Sequence, residues 1–458
     1  MFDNIDRRSF VKLSGAVLGG VATGTTVTAA ASTDRFILDV GTSVSEDDVS
    51  TVRSAGLSVV HRLDPIGVVV VEGTERTVEG LGYQYGADTR YRLDSPVSAV
   101  TRADVSGTGS EPSGSGTPTT DEPYYDLQWD KQVQHVLDAH EVTRGAGTRV
   151  AVIDAGIQAD HPDLQGQVNE KLSRNFSGDG YGVGKGYGGG HGTHVSGIIA
   201  AHDHNDVGVL GTAPATELVD CRVFPYGEGA PFSDVLAAVV YSAQIECDVA
   251  NLSLGAYPIP RQGLGSFYGK LLNRMTTYAN SRGTLLVVAA GNDSADLQHD
   301  GSVVSLPNEA ANVMSISATG PIGFMWGKTG LRESYTHPAF YTNYGTNAID
   351  VSAPGGNADL SAIGTGADWY YDLVYNTYVE VEFDQQTGDY TFTDTYAWLA
   401  GTSMAAPQVT AAAALVKSQH PDWRPDQVAA ALERTAETVG EKAYSGAGFL
   451  NPDAAVRL

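Results

Sequence analysis

The sequence predicts an α/β fold with a doubly wound, mostly parallel sheet over residues 123–458, preceded by a small α/β unit at 32–101. Three observations carry this prediction. Nearly continuous apolar runs recur from TRVAVIDAG (148–156) to NAIDVSAPG (347–355), as expected of strands buried on both faces. Helical patterns of roughly 10 to 20 residues separate several of these runs. Polar groups cluster where the runs end, at Asp154, Ser253 to Gly255 and Asn292, and sheets of this kind bind ligands beyond the carboxyl ends of their strands.

The first 31 residues are expected to be an export signal. Arg7 and Arg8 precede a weakly apolar, small-residue stretch that ends near Ala29 to Ala31, a pattern read as twin-arginine export to the outside of the cell. Its Gly and Thr content argues against a stable membrane anchor, which needs about 20 strongly apolar residues. Next, RFILDVG, LSVVHRL and IGVVVVEG read as strands, DDVSTVRSA and TERTVEGLG as short helices, and YRLDSPVSAV as a last strand. Residues 102–122, rich in Gly, Ser, Thr and Pro, form a flexible linker. A small unit on such a linker is either a binding module or a removable pro-segment.

Beyond the linker, WDKQVQHVLDAHEVT suggests one helix before the strand that ends at Asp154. Further strands are expected in ATELVDCRVFP, CDVANLSLGA, GTLLVVAAGND and ANVMSISA. Helices are expected in THVSGIIAAH, FSDVLAAVVYSAQI and FYGKLLNRMTTYANSR. The stretch 364–400 breaks the rhythm. There YVEVEF and YTFTDTY alternate around QQTGD, a hairpin signal, and the insert is either rim decoration or a wall of a cleft.

With 54 acidic and 28 basic residues the chain carries a formal charge of -26, which argues against nucleic acid as a partner. Eight lysines against 20 arginines, in an acidic, Ala- and Gly-rich chain, suit high salt, where carboxylate repulsion is screened. The two cysteines, Cys221 and Cys247, are either a disulfide of an exported protein or two buried thiols.

Four residues stand in suggestive places. Asp154 closes a strand, His191 opens a helix in GGGHGTHVSG, Asn292 follows a strand, and Ser403 sits in GTSMAAP before an alanine-rich helix. Seen singly, Asp154 reads as a strand-end acid and Ser403 as a helix cap. Together they are a carboxylate, a base, a nucleophile and an oxyanion donor. His194 competes with His191 for the base. His161, His202 and His204 do not form a zinc motif of the HExxH type.

The order Asp, His, Ser, with VAVIDAGIQADHPDL, GGHGTHVSGIIA and GTSMAAPQV carrying them, resembles the subtilisin-like serine peptidases, the subtilase family. The acidic, exported character is similar to an extracellular haloarchaeal (halolysin-like) member. The resemblance implies a subtilisin-like fold and a secreted serine endopeptidase acting on protein and peptide substrates through an acyl-enzyme. It implies Ser403 as nucleophile, His191 as base, Asp154 as its orienting acid and Asn292 as oxyanion donor. Ser253, Leu254 and Gly255, with Ala289, Ala290 and Gly291, would bind substrate. A structural calcium would be held by Asp163, Asn205 and the carbonyls of Val207 and Val209, with Gln128 completing the site. No organic cofactor is implied. The small unit would be an inhibitory, folding-assisting propeptide, cut off within the linker by the enzyme itself, and the mature enzyme is expected to be a monomer. Ala155 departs from the commoner Ser or Thr after the acid. Two other readings are a peptide-binding scaffold without activity and an acyl hydrolase of another class, though Ser403 lacks the G-x-S-x-G elbow.

Overall fold

The computed structural model describes residues 34–105, except 92 and 94, and 120–458, except 328 and 329. The expected signal at 1–31 and most of the expected linker lie outside the described residues. The linker's ends do not: residues 102–105 form a helical turn, and Glu122 is buried in the large domain.

The small unit comprises β1 (Arg35–Asp39), α1 (Glu46–Ser54), β2 (Ser58–Leu63), β3 (Val68–Glu72), α2 (Glu75–Glu79) and β4 (Gln84–Ala87). Ser45 and Asp48 close a capping box at the start of α1. The strands form an antiparallel sheet in the order β2-β3-β1-β4. Alternation then sorts its side chains. Phe36, Leu38, Val69 and Val71 pack with Val49 and Val52 of α1, whereas Ile37, Val68 and Val70 join an apolar cluster of the large domain. Each such fully buried side chain stabilises by about 1.5–3 kcal/mol relative to exposure. The unit is therefore seated on the large domain by the second face of its own sheet.

YRLDSPVSAV is not a strand of that sheet. Its start, β5 (Arg90–Tyr91), pairs antiparallel with Ala230 and Pro231 of the large domain. Its end, β6 (Val100–Thr101), which leads into α3 (Arg102–Val105), pairs with the insert. The expected helix at 129–143 is two short ones, α4 (Trp129–Val133) and α5 (Val136–His140), because His135 between them is left-handed at φ 54°.

The large domain continues through β7 (Arg149–Asp154), β8 (Arg174–Asn175), α6 (His191–Ala200), β9 (Glu217–Arg222), β10 (Ala230–Pro231), α7 (Phe232–Gln244), β11 (Val249–Leu252), β12 (Ala256–Pro260), α8 (Leu264–Arg282), β13 (Leu285–Ala289), β14 (Val303–Leu306), β15 (Val313–Thr319) and β16 (Val351–Pro354). Seven strands form one parallel sheet in the order β16-β15-β13-β11-β7-β9-β8. The strand order reverses beside β7, so a crevice is expected at its carboxyl end. Along β7, Val150 and Val152 face the layer of α6, while Ala151 and Ile153 face the layer of α7 and α8.

The insert is a long hairpin, β17 (Val374–Phe383) and β18 (Tyr390–Leu399), leading directly into α9 (Thr402–Gln419); α10 (Pro425–Thr435), α11 (Lys442–Ser445) and α12 (Pro452–Val456) follow. Residues 402–416 of α9 are buried all round, which is why its alanine-rich stretch shows no polar face. The base of the hairpin is packed against α6, while much of its outer half is exposed. Thr377 Oγ1 donates to Thr193 O at 2.8 Å, and His194 Nε2 lies 3.2 and 3.1 Å from the carbonyls of Val374 and Ala397, one on each strand. Cys221 and Cys247 are buried free thiols, both raised in pKa by burial.

Candidate active site

Asp154 is fully buried at the end of β7, and His191 opens α6 beside it. Their side chains meet, with Nδ1 of His191 2.8 Å from Oδ1 of Asp154. The same oxygen accepts the N–H of Ala155 at 2.7 Å. This approach explains the glycine after the histidine. A methyl group on Gly192 would lie 2.5 Å from Gly156 O and 3.1 Å from Asp154 Oδ1, so any larger residue would push α6 off the acid. His194 points the other way. Burial, and next the nearby His191, lower its pKa to about 3, and it ties α6 to the hairpin as a neutral imidazole.

Ser403 is not a helix cap. Gly401 occupies the cap position of α9, and no side chain caps the helix there. Pro407, four residues on, lacks the N–H that would bond the Ser403 carbonyl, and Ser253 Oγ takes that carbonyl at 2.8 Å. Ser403 Oγ in turn donates to Ser253 O at 3.2 Å. Ser253 is itself held by Asn251 Nδ2 at 2.9 Å, whose Oδ1 accepts Thr410 Oγ1 at 2.9 Å. The hydroxyl of Ser403 thus rests on the 253–255 segment, which joins β11 to β12.

Asn292 is anchored through its oxygen. Oδ1 accepts both the N–H and the hydroxyl of Thr402 at 2.9 Å, which directs Nδ2 to the opposite side. A methyl group on Gly401 would sit 3.5 Å from Ser403 N and 3.6 Å from Asn292 Nδ2. Two donors therefore flank one space, which glycine leaves open. Ala289 ends β13 and the turn of Ala290 and Gly291 follows. Gly291 is left-handed at φ 101° and gives its N–H to Thr402 Oγ1 at 3.1 Å.

Asn343 escaped the sequence reading. Its amide donates to Ala290 O at 2.9 Å and accepts the N–H groups of Asp293 and Ala295, both at 2.9 Å, so it shapes the turn that presents Asn292. Lying some 50 residues away and outside any motif, it left no signal in the chain.

The expected cation residues separate into two groups. Asp163 is buried, with Oδ1 accepting Asn205 Nδ2 and Oδ2 accepting Val209 N, each at 3.0 Å. Val207 is exposed and donates its N–H to Asn205 Oδ1 at 3.1 Å. Gln128 does not join them, because its amide is consumed by Leu210, donating to its carbonyl at 3.0 Å and accepting its N–H at 2.7 Å. Glu122 comes instead, its Oε1 accepting the N–H groups of His204 and Asn205 at 2.7 and 3.2 Å. Its Oε2 is buried without a partner. Burial, and less strongly the charges of Asp163 and Asp121, push Glu122 up to about 7. Burial likewise raises Asp163, with Tyr396 of the hairpin among its hydrogen-bond partners. Two buried acids and an amide sharing one loop form an oxygen-rich set that fits a hard cation. His161, His202 and His204 are engaged separately, with Thr395 O, Gln165 O and Asp121.

Residues 145–449 match the model of the Subtilase family. Subtilisin BL of Lederbergia lenta is 33% identical over 315 residues, covering 68% of this chain and 92% of the relative. Among solved structures, fervidolysin from Fervidobacterium pennivorans, described as a keratinolytic enzyme related to subtilisin, superposes with a TM-score of 0.68 at 22% identity, over 95% of this chain and 62% of its own. The Epidermin Leader Peptide Processing Serine Protease of Staphylococcus aureus gives a TM-score of 0.70 at 21% identity, over 93% and 99%. At these identities the two structures speak for the fold alone, and their coverage takes in the small unit as well as the large domain.

Proposed function

The chain belongs to the subtilase family and is a serine endopeptidase, and we propose that it cuts peptide bonds through Ser403, His191 and Asp154 after maturing from a self-inhibited precursor. The Asp154–His191 contact at 2.8 Å carries the reading. It holds the imidazole in the tautomer whose other nitrogen can take a proton. Ser403 Oγ turns from Ser253 O to the substrate carbonyl, adds to it, and passes its proton to His191. Asp154 stabilises the resulting imidazolium. Ser403 N and Asn292 Nδ2 bind the oxyanion, and His191 returns the proton to the leaving amine. Water then releases the acyl-enzyme by the same route.

The seating of the 35–87 sheet on α7 and α8 supports an inhibitory propeptide. The passage of the following residues, from β5 on β10 to β6 on the hairpin, supports it further. Calcium would be held by Asp163, Glu122 and Asn205 with the Val207 and Val209 carbonyls, and its charge would offset two buried acids. The arginine pair and the net charge of -26 support twin-arginine export, work outside the cell and a saline, halolysin-like setting. The mature enzyme is read as a monomer. The test compares wild type with Ser403→Ala, both refolded in molar salt with calcium. Self-shortening and substrate digestion by wild type alone are expected; a folded wild type that does neither would overturn the proposal.

A further inference from the structure

We infer that the outer edge of β18 is a binding strand for the part of a polypeptide that lies downstream of the cut bond. The inference rests on the peptidase reading. The occupant that argues for it is the chain's own segment 95–101. Tyr91 is buried against Phe232, with ring centroids 5.7 Å apart, and pairs with Ala230. Five residues later Pro96 lies beside Gly401, the residue that leads into α9. A methyl group on Gly401, 3.5 Å from Ser403 N and 3.6 Å from Asn292 Nδ2, would lie 3.7 Å from Pro96 Cδ. Past that point the chain stays docked. Val97 is only 8% exposed within the main apolar cluster, and Ala99 and Val100 pack against it. Val100 and Thr101 then add a strand to the hairpin, opposite Trp398 and Ala397.

A polypeptide lying in the site therefore enters beside β10, passes Ser403 and leaves along β18. The sheet order β17-β18-β6 makes β6 the outer neighbour of β18. Without β6, β18 would present a row of backbone donors and acceptors, which takes up extended chain of any sequence by strand addition. Arg102 fastens the far end, 4.3 Å over the ring of Tyr124. The substrate class that fits is an extended polypeptide running at least six residues past the cut, with small apolar side chains at the places of Val97 and Val100. Short peptides would miss this edge altogether.

The test uses mature enzyme and three quenched fluorogenic peptides. One copies residues 88–97, one copies 88–103, and the third is the 88–103 peptide with its backbone N-methylated at 98–101. Two added hydrogen bonds at about 1 kcal/mol each predict a KM roughly 30-fold lower for the long peptide than for the short one. N-methylation should return the long peptide to the level of the short one. Equal kcat/KM for all three would overturn the inference alone, as would a gain that survives N-methylation. No turnover of any peptide would sink the peptidase reading, and this one with it.

Discussion

Asp88 of the small unit accepts both the backbone N–H and the hydroxyl of Ser233, at 3.1 and 2.6 Å, and so caps the first turn of α7 in the large domain. Arg35 reaches the same carboxylate at 3.0 Å and also pairs with Asp234, which His61 meets at 2.7 Å. All of these groups are at least mostly buried. The two halves of the chain are thus joined by a helix end as well as by apolar surface.

Replacing Asp88 by Ala strips α7 of its cap and leaves Arg35 without one of its two acids. The expected loss is on the order of 2 kcal/mol, or about 30-fold in affinity between the parts. After self-processing, the wild-type unit should co-elute with the large domain in gel filtration, and the Asp88→Ala unit should separate from it. Co-elution of both at micromolar concentration would count against the capping role.

Asn292→Ala should leave KM nearly unchanged and lower kcat by 10²- to 10³-fold, since an oxyanion donor acts mainly in the transition state and is worth about 3 kcal/mol. Steady-state kinetics on one peptide substrate decides it. A rise in KM at constant kcat would mean that Asn292 serves ground-state binding instead.

Gly192→Ala should separate His191 from Asp154 while leaving the core in place. The added methyl meets Gly156 O at 2.5 Å, and overpacking of this kind costs about 1–3 kcal/mol. Activity should fall far more than the melting temperature. A fully active variant would show that α6 has room to move.

Calcium binding at Glu122 would make stability depend on pH and cation together. The pKa of Glu122 in the folded chain is raised to about 7 from an ordinary 4.5, chiefly by burial. Between those values the folded state holds the extra proton, so without calcium the contribution of Glu122 to stability is fully present below about pH 4.5 and is lost as pH rises through 7. A bound cation favours the ionised form and should abolish that decline. Melting curves at pH 5 and 7.5, with chelator and with calcium, check this, and Glu122→Gln should lessen the pH dependence of the chelator curves. Identical curves with and without calcium would remove the cation from this loop.

The first maturation cut should fall between Tyr91 and Val97, because those residues bracket the approach to Ser403, and the linker would be trimmed afterwards. N-terminal sequencing early in refolding should read from within 92–97. A first product starting between 107 and 122 would place the initial cut in the linker.

How much of this was legible in the chain varied with distance along it. Asp154, His191, Asn292 and Ser403 each sit at the end of a strand or the start of a helix, in short glycine-bearing motifs. The glycine is a local sign of a distant contact: Gly192 must be small for His191 to meet Asp154, 37 positions away. The parallel sheet was equally plain, since strands buried on both faces read as unbroken apolar runs. The strand Gln84–Ala87, with one buried residue among its four, had no such run and went unseen.

The sequence by itself therefore determined the fold class and singled out Asp154, His191, Asn292 and Ser403 as candidates, because each sits in a short motif at the end of a strand or the start of a helix. Only the tertiary structure decided that Glu122 and not Gln128 joins Asp163 at the 204–209 loop, that Asn343 shapes the turn of Asn292, and that Tyr91 pairs with Ala230 while Val100 pairs with Trp398 of the hairpin. Those pairings join positions some 40 to 300 residues apart. Their partners are backbone groups and strand edges, which every residue carries and no residue type announces.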